Sequence, residues 1–344
     1  MTEHSPARPT GWQQGRSQKQ APTIYDIADA TGFSPSAVSR ALHKPGRLNP
    51  ATEQRIREAA RQLGYQINPA ARALHTGQTG VIGLVLSSIT NPVYFELIRG
   101  VEKVVRDAGR TLLLAESQES REQELETVTR LIPGIDGLLL AASRLTEEEL
   151  RDLAERKPTV LVNRAVEGVR SVLPERNQGL TAALAHLHTL GHRSLAFVGG
   201  PESWVQSARW SDVLAVARAQ GMSVVEISAE SATVEGGRGC LERVLAAGVT
   251  AVHTFNDLVA IGLMTACRAE GVSIPEQLSI VGNDDIFGAD FTTPALTTIR
   301  IPLDQIGAAA VQWLLDSDEP RPEGSVDFPS ELVVRESTGP ARPS

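Results

Sequence analysis

Two kinds of apolar pattern divide this chain. From residue 81 onward, short apolar runs (VIGLVL, TLLLA, GLLLAA, TVLVN, LAFVGG, SVVEIS, AVHTF and LSIVGN) alternate with longer stretches of helical spacing. Continuous apolar runs are what strands buried on both faces look like, and strands alternating with helices build parallel sheets. The pattern predicts an α/β body of doubly wound sheets. Before residue 81 the pattern is helical, punctuated by Gly, Pro and Asn.

In that amino-terminal part, capping chemistry marks the helix boundaries. In TIYDIADATG, Thr23 and Asp26 form an N-cap pair, Ile24, Ile27 and Ala28 make an apolar stripe, and Gly32 supplies the stop. In GFSPSAVSRAL, Ser34 can accept amide hydrogens of a first turn and Pro35 presets the helical φ. Pro35, Ser36 and Arg40 then face outward, with Val38 and Leu42 on the other side. Asn49 before Pro50, with Gly64 as the stop, frames a third helix. Asn68-Pro69 and Gly77 frame a fourth, shorter than the roughly 12–15 residues an isolated helix needs in water. It is expected to form only against a partner. Two short helices meeting at one glycine turn match the helix-turn-helix arrangement, whose second helix lies in the DNA major groove; an ordinary helical hairpin is the competing reading.

Charge favours DNA. Residues 1–78 hold 10 Lys and Arg against 5 Asp and Glu, whereas the rest holds 23 against 36, so an acidic chain of net charge −8 has a basic end. One small module is built to approach phosphates. Composition is otherwise that of a globular protein, with 344 residues, 41% hydrophobic and 22% charged, enough for two or three domains. No apolar run reaches the roughly 18 residues that span a bilayer, and residues 1–22 lack the apolar core of a secretory signal, so a disordered tail and a cytoplasmic location are expected. Cys240 and Cys267, far apart and without metal-ligand spacing, read as buried free thiols.

From Thr23 to about residue 338 the chain resembles the lactose-repressor (LacI/GalR) family of bacterial transcription regulators. The resemblance is carried, in order, by IYDIADATGFSPSAVSRAL, NPAARAL, IGLVL, GHRSLAFVGGP, NDLVAIG and TPALTTIR. It implies a three-helix helix-turn-helix head plus hinge helix, then two doubly wound parallel-sheet subdomains of periplasmic-binding-protein type with a cleft between them. The expected divisions are a tail at 1–22, the head at 23–66, the hinge at 67–79, the effector-binding and dimerisation domain at 80–338, and a tail at 339–344.

By the same resemblance Pro35, Ser36 and Arg40 are the base-reading positions. Thr23, Ser34 and Ser39 face phosphates, and Tyr25, Asn49 and Ala71 join the DNA-facing set. Arginine suits guanine O6 and N7, while serine discriminates weakly. Pro35 departs from family members that carry a large polar side chain there. Leu74 falls where the family inserts a leucine into the minor groove from paired hinge helices; packing against the body is the alternative.

Parallel sheets bind ligands beyond the carboxyl ends of their strands, so the residues just after each apolar run are the ones to weigh. There the sequence places Asn91, Tyr94 and Phe95, then Asn163 and Arg164, then Ser203, Trp204 and Arg209, then Asn256 and Asp257, then Asn283, Asp284 and Asp285. Of these, Tyr94, Phe95, Asn163, Arg164, Trp204, Arg209, Asn256, Asp257 and Asp284 are the effector-binding candidates. Aromatic faces beside a few polar groups suit a sugar-like molecule. Tyr94 and Phe95 read equally as core, and Asn256 as a helix cap. Pro174 and Glu175 stand where many family members carry Asp-Asn, and Ala232 where some carry an aromatic, which leaves a non-sugar metabolite as an alternative effector.

Enzyme signals are weak. There is no phosphate-binding loop and no G-x-S-x-G elbow, and GGRG at 236–239 follows no dinucleotide pattern. In HLHTLGH, Gly191 should end the helix before His192, so His186, His188 and His192 read as solvated rather than as a metal site. No cofactor or metal is expected. A plain periplasmic binding protein would need a signal peptide and no basic head. The expectation is a non-enzymatic, sequence-specific DNA-binding regulator, a repressor on palindromic operator DNA. It should be a homodimer, with tetramers left open, and be controlled by a small molecule in the cleft.

Overall fold

The computed structural model describes residues 22–43, 46–65, 77–316 and 328–342. The chain divides between Gly77 and Gln78 into two compact units. The first holds α1 (Ile24–Thr31), α2 (Pro35–His43) and α3 (Pro50–Leu63). Capping is as the local chemistry requires. The Thr23 hydroxyl accepts from Asp26 N–H while the Asp26 carboxylate accepts from Thr23 N–H at 2.6 Å, and Gly32 ends α1 at φ 74°. Ile27, Val38, Ala41 and Ile56 are fully buried between the three helices. Residues 66–76, which include Ala71 and Leu74 of the expected hinge, lie outside the described residues, as does the tail at 1–21.

The second unit contains two sheets. The first is built from β1 (Val81–Leu86), β2 (Thr111–Glu116), β3 (Gly137–Ala141), β4 (Thr159–Val162) and β5 (Arg170–Val172), all parallel, in the order β2-β1-β3-β4-β5. Its first three crossover helices are α4 (Tyr94–Asp107), α5 (Arg121–Leu131) and α6 (Glu147–Arg156). The second sheet contains β6 (Ser194–Gly199), β7 (Ser223–Ser228), β8 (Ala251–Thr254), β9 (Ser279–Asp284), β10 (Thr297–Arg300) and β11 (Glu331–Val333). Their order is β11-β10-β9-β8-β6-β7, parallel except for β11. Its helices are α7 (Asn177–Thr189), α8 (Trp204–Ala219), α9 (Val234–Arg238), α10 (Leu241–Ala246) and α11 (Asp257–Ala269). Both sheets thus repeat one doubly wound order, in which the strand sequence reverses beside the first strand.

All eight apolar runs are strands. The three strands they miss, RSV, TTIR and ELV, are short and half polar. One helix joins the halves. α12 (Leu303–Leu315) follows β10 of the second sheet but buries Ile306, Ala310 and Val311 against Leu97 and Val101 of α4, in the core of the first. Gly100 faces the Asp304 carbonyl and Gly307 that of Leu97, so any side chain there would force these helices apart.

The carboxyl-terminal stretch crosses the second sheet as a strap. Ser337 O accepts from Ile280 N–H at 2.8 Å, and Gly339 N–H donates to Ser279 Oγ at 3.0 Å. Residues 339–342, read from sequence as a tail, are held there; Ala341 N–H donates to Leu190 O. This strap corrects the reading of the histidines. Gly191, at φ 95°, does end α7. His192, however, is 1% exposed, its ring bonded to the Thr250 and Ser279 hydroxyls and to Gly339 O. His186 meets Thr338. Burial lowers the pKa of both, favouring the uncharged rings these contacts need.

Candidate functional site

In the head, α2 turns its small polar side chains to solvent. Ser34 Oγ accepts from Ala37 N–H and lies 3.1 Å from Ser36 Oγ, while Arg40 Nε donates to the Ser36 carbonyl at 3.2 Å. That last bond holds the guanidinium along the helix towards its start. Ser34, Ser36 and Arg40 are exposed, Pro35 and Ser39 partly so. Thr23, Tyr25 and Asn49 are exposed as well, with Tyr25 at 65% and Asn49 capping α3 through Ala51 N–H. A long fork of donors on a face of short side chains is the arrangement that reaches base edges.

In the body, the carboxyl ends of both sheets face a cavity of about 110 Å³ between the subdomains. Tyr94, Asn163, Trp204, Arg209, Asn256 and Asp284 of the candidates line it. Arg209, on α8, donates through Nη1 to the Phe255 carbonyl and through Nη2 to Asp284 Oδ1 at 3.4 Å, and its guanidinium lies 4.4 Å from the Phe255 ring centre. Asn283 Nδ2 donates to the same Asp284 oxygen at 2.6 Å. Burial raises the Asp284 pKa, and the Arg209 charge opposes the rise. The Tyr94 hydroxyl is 2.7 Å from Ser87 Oγ, and burial pushes its pKa up to about 12, so it stays a neutral hydrogen-bonding group. Asn163 sits at φ 60°, in the left-handed region, where the chain turns away from β4. Its Oδ1, together with Arg144 Nε and Arg209 Nε, is buried without a hydrogen-bond partner.

Three candidates stand elsewhere. Phe95 is 46% exposed and lines a neighbouring hollow with Phe287 and Phe291, because adjacent residues on a helix point about 100° apart and Tyr94 takes the inward position. Asp257 is 0% exposed and spends both oxygens on structure, accepting from Ile286 N–H and the Thr298 hydroxyl. Arg164 does not line the cavity but stacks 5.7 Å from the ring centre of Trp204, which does. Asn256 is both cap and lining, accepting from Val259 N–H and donating to Ala232 O. At the divergent positions, Pro174 and Ala232 line the cavity, while Glu175 caps α7 through Asn177 and Gln178 N–H.

Sequence reasoning passed over the ion pair of Glu119 with Arg144, which lines the cavity from the first subdomain. The signal was present. Both residues come after strands, β2 and β3, and the strand-end rule applied to those two runs points at them.

A helix-turn-helix head ahead of a two-subdomain ligand cleft defines a class, the ligand-responsive DNA-binding regulators. Residues 23–68 match the bacterial regulatory proteins of the lacI family, and residues 184–338 the periplasmic binding protein-like domain. The chain is 31% identical to the HTH-type transcriptional repressor CytR of Escherichia coli K12, across 94% of its own length and 98% of that protein's. It is 31% identical to the ribose operon repressor of Halalkalibacterium halodurans, across 92% and 97%. Its fold matches that of the lac repressor dimer bound to operator and the anti-inducer ONPF, with TM-score 0.84, 22% identity, and coverage of 93% of this chain and 100% of that one. The chain belongs to the lacI family of bacterial regulatory proteins. It is a DNA-binding transcriptional regulator and not an enzyme. Among the described residues, no helix is long and apolar enough to cross a membrane.

Proposed function

We propose that this regulator is a cytoplasmic repressor that binds palindromic operator DNA as a homodimer, and that a neutral polyhydroxy molecule in the cleft sets its affinity. Arg40 reads a guanine in each half-site, with Pro35 and Ser36 on neighbouring base edges and Thr23, Tyr25, Ser34, Ser39 and Asn49 along the backbone. Leu74 of the hinge enters the minor groove, Ala71 belongs to the same DNA-facing set, and a change of angle between the subdomains alters the hinge spacing in the dimer. Relatives named as repressors support the direction of control, and the lac repressor dimer on its operator supports the assembly.

The observation that carries the effector class is charge balance. The cleft holds two internal ion pairs, Arg209–Asp284 and Arg144–Glu119, so it favours an uncharged ligand. It also offers one unpartnered acceptor, Asn163 Oδ1, and two unpartnered donors, the Nε–H groups of Arg144 and Arg209. A hydroxyl both donates and accepts, and so serves either kind. The test is a thermal-shift screen of neutral sugars, nucleosides and charged metabolites on the full chain. A ligand at a hundred times its Kd adds about 2.7 kcal/mol of stability. The reading expects a neutral polyol among the strongest shifts; hits confined to anions or cations overturn it.

A further inference from the structure

Trp204, which lines the cavity, also reaches from the second subdomain to the first, a contact separate from the Arg209–Asp284 pair within the second. The backbone carbonyl of Ser143, in the loop after β3, accepts from both halves: Arg164 Nη1 at 2.6 Å within the first subdomain, and the Trp204 indole Nε1 at 3.4 Å from the second. The Arg164 guanidinium also lies within cation–π reach of the indole, 5.7 Å from the ring centre. The Ser143 carbonyl is held in place. Buried Glu124 accepts Arg144 N–H at 2.8 Å, and the Ser143 hydroxyl accepts Leu145 N–H at 3.2 Å. The loop therefore presents the indole with a fixed acceptor.

Volume gives this contact its consequence. The arrangement leaves about 110 Å³ between the subdomains, whereas pockets that bury a small organic molecule run to roughly 300–1,000 Å³. Several other large lining groups are tied down: the Tyr94 hydroxyl meets Ser87, and Arg209 is bound to Phe255 and Asp284. Ala141 and Val162 end buried strands. Trp204, the first residue of α8, is a large lining side chain held by a contact across the subdomains, so its displacement adds room.

We infer that Trp204 is the gate of the cleft: its indole, seated on Ser143 O beneath Arg164, sets the size of neutral polyhydroxy molecule the site admits. The inference rests on the reading of the cleft as the effector site. It assigns Trp204 a part in selecting the ligand that is distinct from contacting it. A monosaccharide enters with a small displacement of the indole. A disaccharide requires the Trp204–Ser143 and Trp204–Arg164 contacts to break.

The test uses the full chain with spin labels on Glu126→Cys in α5 and Glu242→Cys in α10, exposed positions on the two subdomains; the native Cys240 and Cys267 are buried. Interspin distances are measured with Trp204 intact, in Trp204→Ala, and in Trp204→Phe, which keeps a ring under Arg164 but has no N–H to give Ser143. Arg164→Ala loosens the contact from the other side and decides the matter should Trp204→Ala fail to fold. The gate predicts longer, broader distances in Trp204→Ala and Arg164→Ala and intermediate ones in Trp204→Phe. Unchanged distances in folded variants overturn it. Titration with D-glucose and cellobiose completes the test. Relative to glucose, cellobiose should gain about tenfold in affinity on Trp204→Ala, equivalent to about 1.4 kcal/mol. Longer distances without that gain, where either sugar binds, overturn size selection. Longer distances with neither sugar bound retain the gate and overturn the polyhydroxy reading beneath it.

Discussion

The two halves of the body share one strand order and one device, a buried carboxyl group that fixes a strand-end loop beside the cleft, but they surround it with opposite charge. In the first half, Glu124, 2% exposed, accepts Arg144 N–H at 2.8 Å. Burial raises its pKa, while hydrogen bonds from Ser143 and Arg144 and the positive charges of Arg164 and Arg144 pull it back. In the second half, Asp257, 0% exposed, accepts Ile286 N–H at 2.8 Å and the Thr298 hydroxyl at 2.6 Å. Burial, joined by the negative charge of Asp284, pushes its pKa up to about 7. The same fold thus holds its first strand-end loop with a compensated charge and its second with a strained one.

The largest effect should come from breaking the compensated half. Glu124→Ala strips Arg144 N–H of its acceptor and removes a nearby negative charge from Arg164, which should cost about 2 to 4 kcal/mol in urea unfolding of the body. A loss under about 0.5 kcal/mol, the level of a plain surface substitution, would show that the carboxyl does not fix the loop. Next comes ligand affinity. For a sugar identified by the screen, Arg209→Ala should weaken binding by about 1.5 to 3 kcal/mol in calorimetry. Arg144→Ala should weaken it less, because the Arg144–Glu119 pair is 26% and 39% exposed against 13% and 6% for Arg209–Asp284, and exposed pairs are screened by water. Equal losses would erase the difference between the halves at the site itself. Neither change should alter operator affinity in the absence of the sugar.

The smallest effect is on pH dependence. An acid whose folded pKa is raised takes up a proton on folding, so its contribution to stability is fully present below the unfolded value of about 3.9 and is lost as pH rises through about 7. Asp257→Asn keeps an acceptor for Ile286 N–H and cannot ionise. It should flatten the loss of stability between about pH 4 and 7, and should equal or exceed wild type at the upper end. An unchanged slope would place that titration on another group.

Much of this was legible in the sequence wherever the deciding contacts are local. The Thr23–Asp26 box, the Asn49 cap and the glycine stops all act within about one turn, and each stands where its residues announce it. The strand-end rule found Arg209 and Asp284, 75 residues apart, but could not separate Asp284 from Asp257. Both are carboxylates at the ends of apolar runs, and only the path of residues 284–286 decides which is consumed by Ile286 and Thr298. Nor could it bury His192, whose covering carbonyl at Gly339 arrives 147 residues later. The strands RSV and ELV carry too few apolar positions to register, and pairing alone makes them strands.

The late return of α12 to the first half has a consequence in time rather than in space. A chain emerging amino-terminus first cannot finish the first half of the body until residue 315 has been made, nor the second until the strap at 337–341 is added. The head, by contrast, has its core residues together from the start. A product released before residue 303 would therefore carry a complete DNA-reading module joined to a body whose Leu97 and Val101 have lost their cover. Such a fragment is suited to capture by chaperones and proteases, and a message cut short yields scrap rather than a weaker regulator.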